Sequence, residues 1–141
     1  MGERLLGLDV GGKRIGVAIS DEMGLVASPV GMVRRDRNPA REIADLARRY
    51  DARRIVVGLP VGMSGREGQQ AADVRGFVDA IEGEIGLPVE YWDERLTTSI
   101  AEKSLIASGS RREKRRDQVD AVAAAVILQG FLDSKRWPGR S

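Results

Sequence analysis

Apolar residues come in short dense runs at the start of the chain and at helical spacing further on. Positions 4–10 (RLLGLDV) and 15–20 (IGVAIS) read as two strands joined by the tight turn Gly11-Gly12-Lys13-Arg14. A third strand is expected across 25–33. Asn38 followed by Pro39 marks a helix start, and Ile43, Ala44, Leu46, Ala47 and Tyr50 supply its apolar face. IVVGLP at 55–60 is a β-branched run of the kind found in strands buried on both faces. A Gly-rich loop, 61–68, leads to a second amphipathic helix bearing Val74, Phe77, Val78, Ile81 and Ile85 and ended by Gly86 and Pro88. PVEYWDE at 88–94 is the next strand and 97–108 the next helix, with Ser99 and Glu102 as a capping box. A basic loop then runs from Gly109 to Arg116. The last helix is expected from Asp117, as its N-cap, with Val119, Val122, Ala123, Val126, Ile127 and Phe131 on its apolar side and a polar tail over 134–141. Three strands followed by alternating helices and strands give one α/β domain, 1–141, a mixed sheet with helices on its faces.

Composition narrows the chemistry more than the fold. With 42% hydrophobic and 31% charged residues in 141, the chain is globular, and no apolar run approaches the roughly 20 residues that span a bilayer. The start, MGERLLGLDV, lacks the features of a signal peptide, so a cytoplasmic protein without a membrane partner is expected. Cys and His are both absent, which removes thiolate nucleophiles, Ser-His-Asp triads and HExxH zinc sites. Carboxylates, Lys and Arg, hydroxyls, or a hard cation held by oxygen remain. Net charge is only +2, yet basic residues crowd into 111–116 (RREKRR) and 135–140 (KRWPGR), a stripe suited to a polyanion.

Three carboxylates sit where carboxylates are costly. Asp9 lies in an otherwise apolar strand, and burying an unpaired charge costs several kcal/mol. A turn-forming Asp that bonds Gly11 or Gly12 is the plainer explanation. Asp93 and Glu94 end the apolar run VEYW, and because successive strand residues face opposite sides, only one of them can share a face with Asp9; parity alone does not choose. Asp120 falls on the same helical face as Ala123, Ala124 and Ile127, beside the buried stripe. Carboxylates gathered at two strand ends and one helix would repel, and a divalent cation removes the conflict. All-oxygen ligation selects Mg²⁺ or Mn²⁺, and the chemistry that follows is metal-assisted phosphodiester hydrolysis.

Other motifs are weaker. GLDVGGKR at 7–14 comes close to a Walker A loop, but Arg14 stands where a Ser or Thr hydroxyl is needed. Its glycines instead let a backbone or a phosphate approach Asp9, with Lys13 and Arg14 in reach of phosphates. An Asp-x-Gly-Gly start also opens the phosphate-binding strands of the actin, Hsp70 and sugar-kinase group, which needs two such domains where this chain has one. Thr97 and Thr98 read as helix caps, and Trp92 as a core residue.

LGLDVGGKRIGVA at 6–18, VVGLP at 56–60, WDERLTT at 92–98 and DQVDAVAAAVIL at 117–128 together resemble the YqgF (RuvX-type) family, in order and over nearly the whole chain. Its members are described as Holliday-junction resolvases and as pre-16S rRNA nucleases. The resemblance implies an RNase H-like fold with a central mixed five-stranded sheet flanked by helices on both faces. It also implies a catalytic and metal-binding triad of Asp9, Glu94 and Asp120, with Asp93 in support. Nucleic acid would then meet Lys13, Arg14, Arg95, Arg111, Arg112, Lys114, Arg115 and Arg116. The expected activity is that of a Mg²⁺- or Mn²⁺-dependent nuclease acting in 5′-end processing of precursor 16S rRNA, as monomer or homodimer. Resolution of four-way DNA junctions is the alternative within the same chemistry, and a non-catalytic nucleic-acid-binding module the alternative outside it.

Replacing Arg111, Arg112, Arg115 and Arg116 with Ala should weaken nucleic-acid binding. Each phosphate left without its cationic side chain should flatten the log–log salt dependence by roughly 0.9 on duplex DNA or 0.7 on single strands. An unchanged affinity and slope would mark the basic stretch as a solvated segment.

Overall fold

The computed structural model describes residues 3–61, 68–94 and 112–136, with only the backbone described for 112–117 and 136. Strands β1 (Arg4–Val10) and β2 (Arg14–Ser20) form the expected hairpin, closed by a bond from the Gly11 N–H to the Arg14 carbonyl (2.8 Å). β3 (Ala27–Arg34) continues the antiparallel meander. Helix α1 (Pro39–Arg49), strand β4 (Ala52–Leu59), helix α2 (Gln69–Ile85), strand β5 (Val89–Asp93) and the long helix α3 (Arg112–Arg136) follow. The sheet order is β3-β2-β1-β4-β5, with β4 and β5 running parallel to β1.

Strand alternation divides the apolar residues between two cores. Leu6, Leu8, Ile15, Val17, Ile55 and Val57 project to one face and are covered by Ile43 and Ala47 of α1 and Val74, Val78 and Ile81 of α2. Leu5, Ala18 and Val56 project to the other, where Ala124, Ala125, Ile127, Leu128, Phe131 and Leu132 of α3 cover them. Trp92 joins this second core and meets Phe131 edge to face, with ring centroids 6.1 Å apart. Helices therefore pack on both faces, α1 and α2 on one and α3 on the other.

The second face has a floor of glycines. A β-carbon on Gly7 would lie 2.8 Å from Leu128 Cβ and 3.2 Å from the Ala124 carbonyl. One on Gly58 would lie 2.5 Å from Ile127 Cδ1, and one on Gly16 would fall inside the Asp120 carbonyl. A strand glycine marks a site of close backbone approach, and here three of them let one helix settle onto β2, β1 and β4.

The last helix departs most from expectation. It begins at Arg112, so 112–116 form its opening turns rather than a loop, and Asp117 lies inside the helix instead of capping it. It also continues through Ser134 to Arg136, into the expected tail; the Ser134 hydroxyl donates to the Phe131 carbonyl (2.7 Å). Of the residues expected on its apolar side, Ile127 and Phe131 are buried, together with Ala121, Ala124, Ala125, Leu128 and Leu132, while Val119, Val122, Ala123 and Val126 are only partly covered. A run as uniformly apolar as AVAAAVIL does not set its own phase; the glycine floor accepts the small residues. Asn38 precedes α1 as expected, but in a left-handed conformation and without a side-chain cap bond. The expected helix over 97–108, its capping box, Thr97, Thr98 and most of the loop over 61–68 lie outside the described residues. Among the described residues, no helix is long and apolar enough to cross a membrane.

Gly7→Ala should destabilise the protein by about 1–3 kcal/mol, the usual cost of overpacking a close contact. Gly12→Ala, whose added β-carbon would meet nothing within 4 Å, should cost little. Urea midpoints at unchanged m-value provide the comparison.

Candidate active site

Asp9 is the ninth residue of a chain whose β1 puts Leu6 and Leu8 on the α1/α2 face, so alternation turns Asp9 to the α3 face, where it is half-buried. Its antiparallel partner on β2 is Gly16. On the other side β1 and β4 pair Leu8 with Val57, and the same register carried one step further sets Gly58 beside Asp9. The central carboxylate is thus flanked on both sides by residues without side chains.

The same alternation separates Asp93 from Glu94. Val89 and Tyr91 pack on the α1/α2 core and Trp92 on the α3 core, so the α3 side takes Glu94 and the opposite side Asp93. Glu94 Oε1 lies 2.8 Å from the point where a Gly58 β-carbon would stand, so its carboxylate rests over Gly58. Burial, with a smaller contribution from the neighbouring Asp93 charge, pushes the Glu94 carboxyl above its ordinary value. Asp120 arrives from above: its backbone carbonyl sits over Gly16, the partner of Asp9. Its carboxylate accepts a bond from Arg14 Nε (Oδ2, 2.6 Å), and the pair is largely shielded, with side chains 35% and 20% exposed.

The fold brings Asp9, Glu94 and Asp120 to one face and one end of the sheet. Among the described residues, however, no three carboxylates stand close enough together to hold a metal ion. Of the residues expected to meet nucleic acid, Lys13 is exposed in the β1–β2 turn and Arg14 is engaged by Asp120. Arg112, Lys114, Arg115 and Arg116 lie on the opening turns of α3, and Arg95 and Arg111 fall outside the described residues.

Arg35 is a contributor the sequence reading missed. Its Nη1 donates to the Gly11 carbonyl (2.9 Å) and to Asp73 Oδ2 (2.9 Å), and its guanidinium lies over the Phe77 ring at 4.6 Å. Its backbone N–H also donates to the Lys13 carbonyl (3.0 Å). It ties the turn that follows Asp9 to α2. Its position just past β3, beside a turn rich in glycine, is the signal that could have found it.

This sheet order, with helices on both faces and acidic residues at the ends of β1 and β5 facing a C-terminal helix, is that of the RNase H-like class. The solved structure titled Thermus thermophilus RuvC in complex with Holliday junction substrate superposes with a TM-score of 0.55 over 94% of this chain and 96% of that one, at 16% identity. The Fowlpox virus resolvase bound to Holliday junction DNA gives 0.52 over 94% and 98%, at 12% identity. Within that class the chain belongs to the family described as "RuvX: Holliday junction resolvase", which matches residues 3–134. Relatives include proteins of Heliobacterium modesticaldum, 47% identical over 94% of this chain and 90% of theirs, and of Moorella thermoacetica, 48% identical over 92% and 94%. Both bear the name "Putative pre-16S rRNA nuclease".

Glu94 binds its proton more tightly folded than unfolded, so its contribution to stability is full below its ordinary value of 4.5 and is lost as pH rises through the raised folded value. In chelator, Glu94→Gln should therefore melt at a higher temperature than the parent protein at neutral pH. The advantage should shrink on acidification and vanish below pH 4.5. Melting curves that stay parallel across that range would place the Glu94 carboxyl in open solvent.

Proposed function

We propose that this chain is a metal-dependent nuclease that hydrolyses phosphodiester bonds in precursor 16S ribosomal RNA. The observation that carries the reading is the gathering of Asp9, Glu94 and Asp120 on the α3 face of the sheet, around a glycine floor. Membership of the RuvX family supports it, and the names borne by the relatives favour precursor rRNA as the substrate.

The donor set fits a hard divalent cation. It is all oxygen, and burial, the main cause of the raised Glu94 carboxyl, is a cost that a bound cation would offset. Asp9, Glu94 and Asp120 would hold Mg²⁺ or Mn²⁺, which when bound makes water a nucleophile at neutral pH and stabilises the leaving oxygen. Gly16 and Gly58, lacking side chains, let the Asp120 backbone and the Glu94 carboxylate settle on either side of Asp9. Lys13, exposed in the turn beyond it, binds a neighbouring phosphate, and Arg35 keeps that turn in place. The family description favours a second reading, cleavage of four-way DNA junctions by the same residues, for which a homodimer would present two sites to two strands.

The deciding experiment offers the purified protein, with Mg²⁺ and then Mn²⁺, a precursor 16S RNA with its 5′ extension and a four-way DNA junction in parallel. RNA cleavage is expected, with Asp9→Asn folded and slower by several orders of magnitude. Mn²⁺ should also raise the melting temperature of the parent protein by binding the folded state alone. Junction cleavage with RNA left intact would transfer the assignment to the second reading. Binding of either substrate without turnover in any metal would leave a nucleic-acid-binding module.

A further inference from the structure

We infer that Arg14 is the internal counter-charge of the acidic site, holding Asp120 until a divalent cation takes its place and then turning to a phosphate of the bound strand. This rests on the assignment of Asp120 as a metal ligand. Arg14 opens β2, and the alternation that sends Ile15 and Val17 to the α1/α2 core sends Arg14 and Gly16 to the α3 face. Gly16 is the partner of Asp9, so Arg14 stands two residues nearer the β1–β2 turn, within reach of Asp120 on α3.

Its neighbours are committed elsewhere. Arg34, directly across β2–β3 from Arg14, donates Nε and Nη2 to Asp36 (3.1 and 3.2 Å). Arg35 is spent on Gly11 and Asp73. The Arg14–Asp120 bond, at 2.6 Å, is short even for a charge-assisted pair, and it spans 106 residues of sequence.

A guanidinium and a divalent cation both need the Asp120 carboxylate, so the two compete for it. Release does not carry the Arg14 charge away from the site. The side chain is anchored on the sheet, and its planar donor fork matches a phosphodiester as well as a carboxylate. The same residue thus neutralises Asp120 in the metal-free protein and adds a phosphate contact once the cation is bound.

The test is Mn²⁺ affinity measured by calorimetry on folded protein without nucleic acid. Arg14→Gln should bind Mn²⁺ about two- to fivefold more tightly, the scale of losing a partly exposed ion pair. Arg14→Lys, which keeps a competing charge, should stay near the parent value. Arg14→Met serves where Arg14→Gln does not fold. In parallel, the Arg14 Nε–Hε resonance, assigned by its disappearance in Arg14→Lys, should move towards that of free arginine when diamagnetic Mg²⁺ is added. Weaker or unchanged Mn²⁺ binding in Arg14→Gln, with an unmoved resonance, would make Arg14 a fixed orienter of Asp120 and overturn the proposal alone. Asp120→Asn separates the two levels: if it leaves Mn²⁺ affinity intact, Asp120 is no ligand, and the metal-site assignment falls together with the competition.

Discussion

The site depends on three missing β-carbons. Gly7, Gly16 and Gly58 lie on adjacent strands and on one face, and each is in contact with α3 or with Glu94. A helix resting on ordinary side chains would stand further from the sheet. On this floor the Asp120 backbone reaches β2 itself and the Glu94 carboxylate comes to rest over Gly58 of β4. Glycine within a strand costs roughly 0.5–1 kcal/mol relative to alanine, so three of them weaken the sheet unless close packing offsets the loss. The offset comes from α3, whose Asp120 and Ala124 backbone and Ile127 and Leu128 side chains fill the space above the glycines.

Two cores with different tasks follow from that arrangement. The α1/α2 face is filled by large aliphatic side chains such as Leu6, Leu8, Ile15, Ile43 and Ile55, all at most 1% exposed, and it ties the sheet together. The α3 face carries the carboxylates and is thinner, with glycine below and alanine above. Strain at a site is tolerated where the surrounding structure over-determines it. Here the lifted Glu94 carboxyl and the Arg14–Asp120 pair sit on a sheet whose other side is fully packed.

The first two strands were legible because RLLGLDV and RIGVAIS are dense apolar runs, but both are buried on both faces, so the sequence marked Asp9 as out of place without giving it a face. The choice between Asp93 and Glu94 was not legible that way, since VEYW alternates without a clear apolar side; Val89, Tyr91 and Trp92 are all only partly buried. The phase and start of α3 were hidden for a related reason. Its middle is apolar all round and its first turns are wholly charged, so neither amphipathic period nor cap marks the boundary. The Arg14–Asp120 pair was invisible outright. Nothing local links a turn residue to a helix residue 106 positions away, and the resemblance assigned one to phosphate and the other to metal.

The floor explains phosphodiester chemistry more readily than it explains choice of substrate. In the proposed role, Asp9, Glu94 and Asp120 would address a phosphate and its attacking and leaving oxygens, and those groups are the same in RNA and DNA. Distinguishing the two requires a polar contact to the 2′-hydroxyl or a surface that reads helix shape. Neither can come from Gly16 or Gly58, which have no side chain to offer. In the proposed role, selectivity would be set around the floor rather than on it, and Lys13 in the exposed β1–β2 turn is the cation placed to contribute. The proposed cleavage chemistry and the choice of substrate would then rest on different residues of the chain.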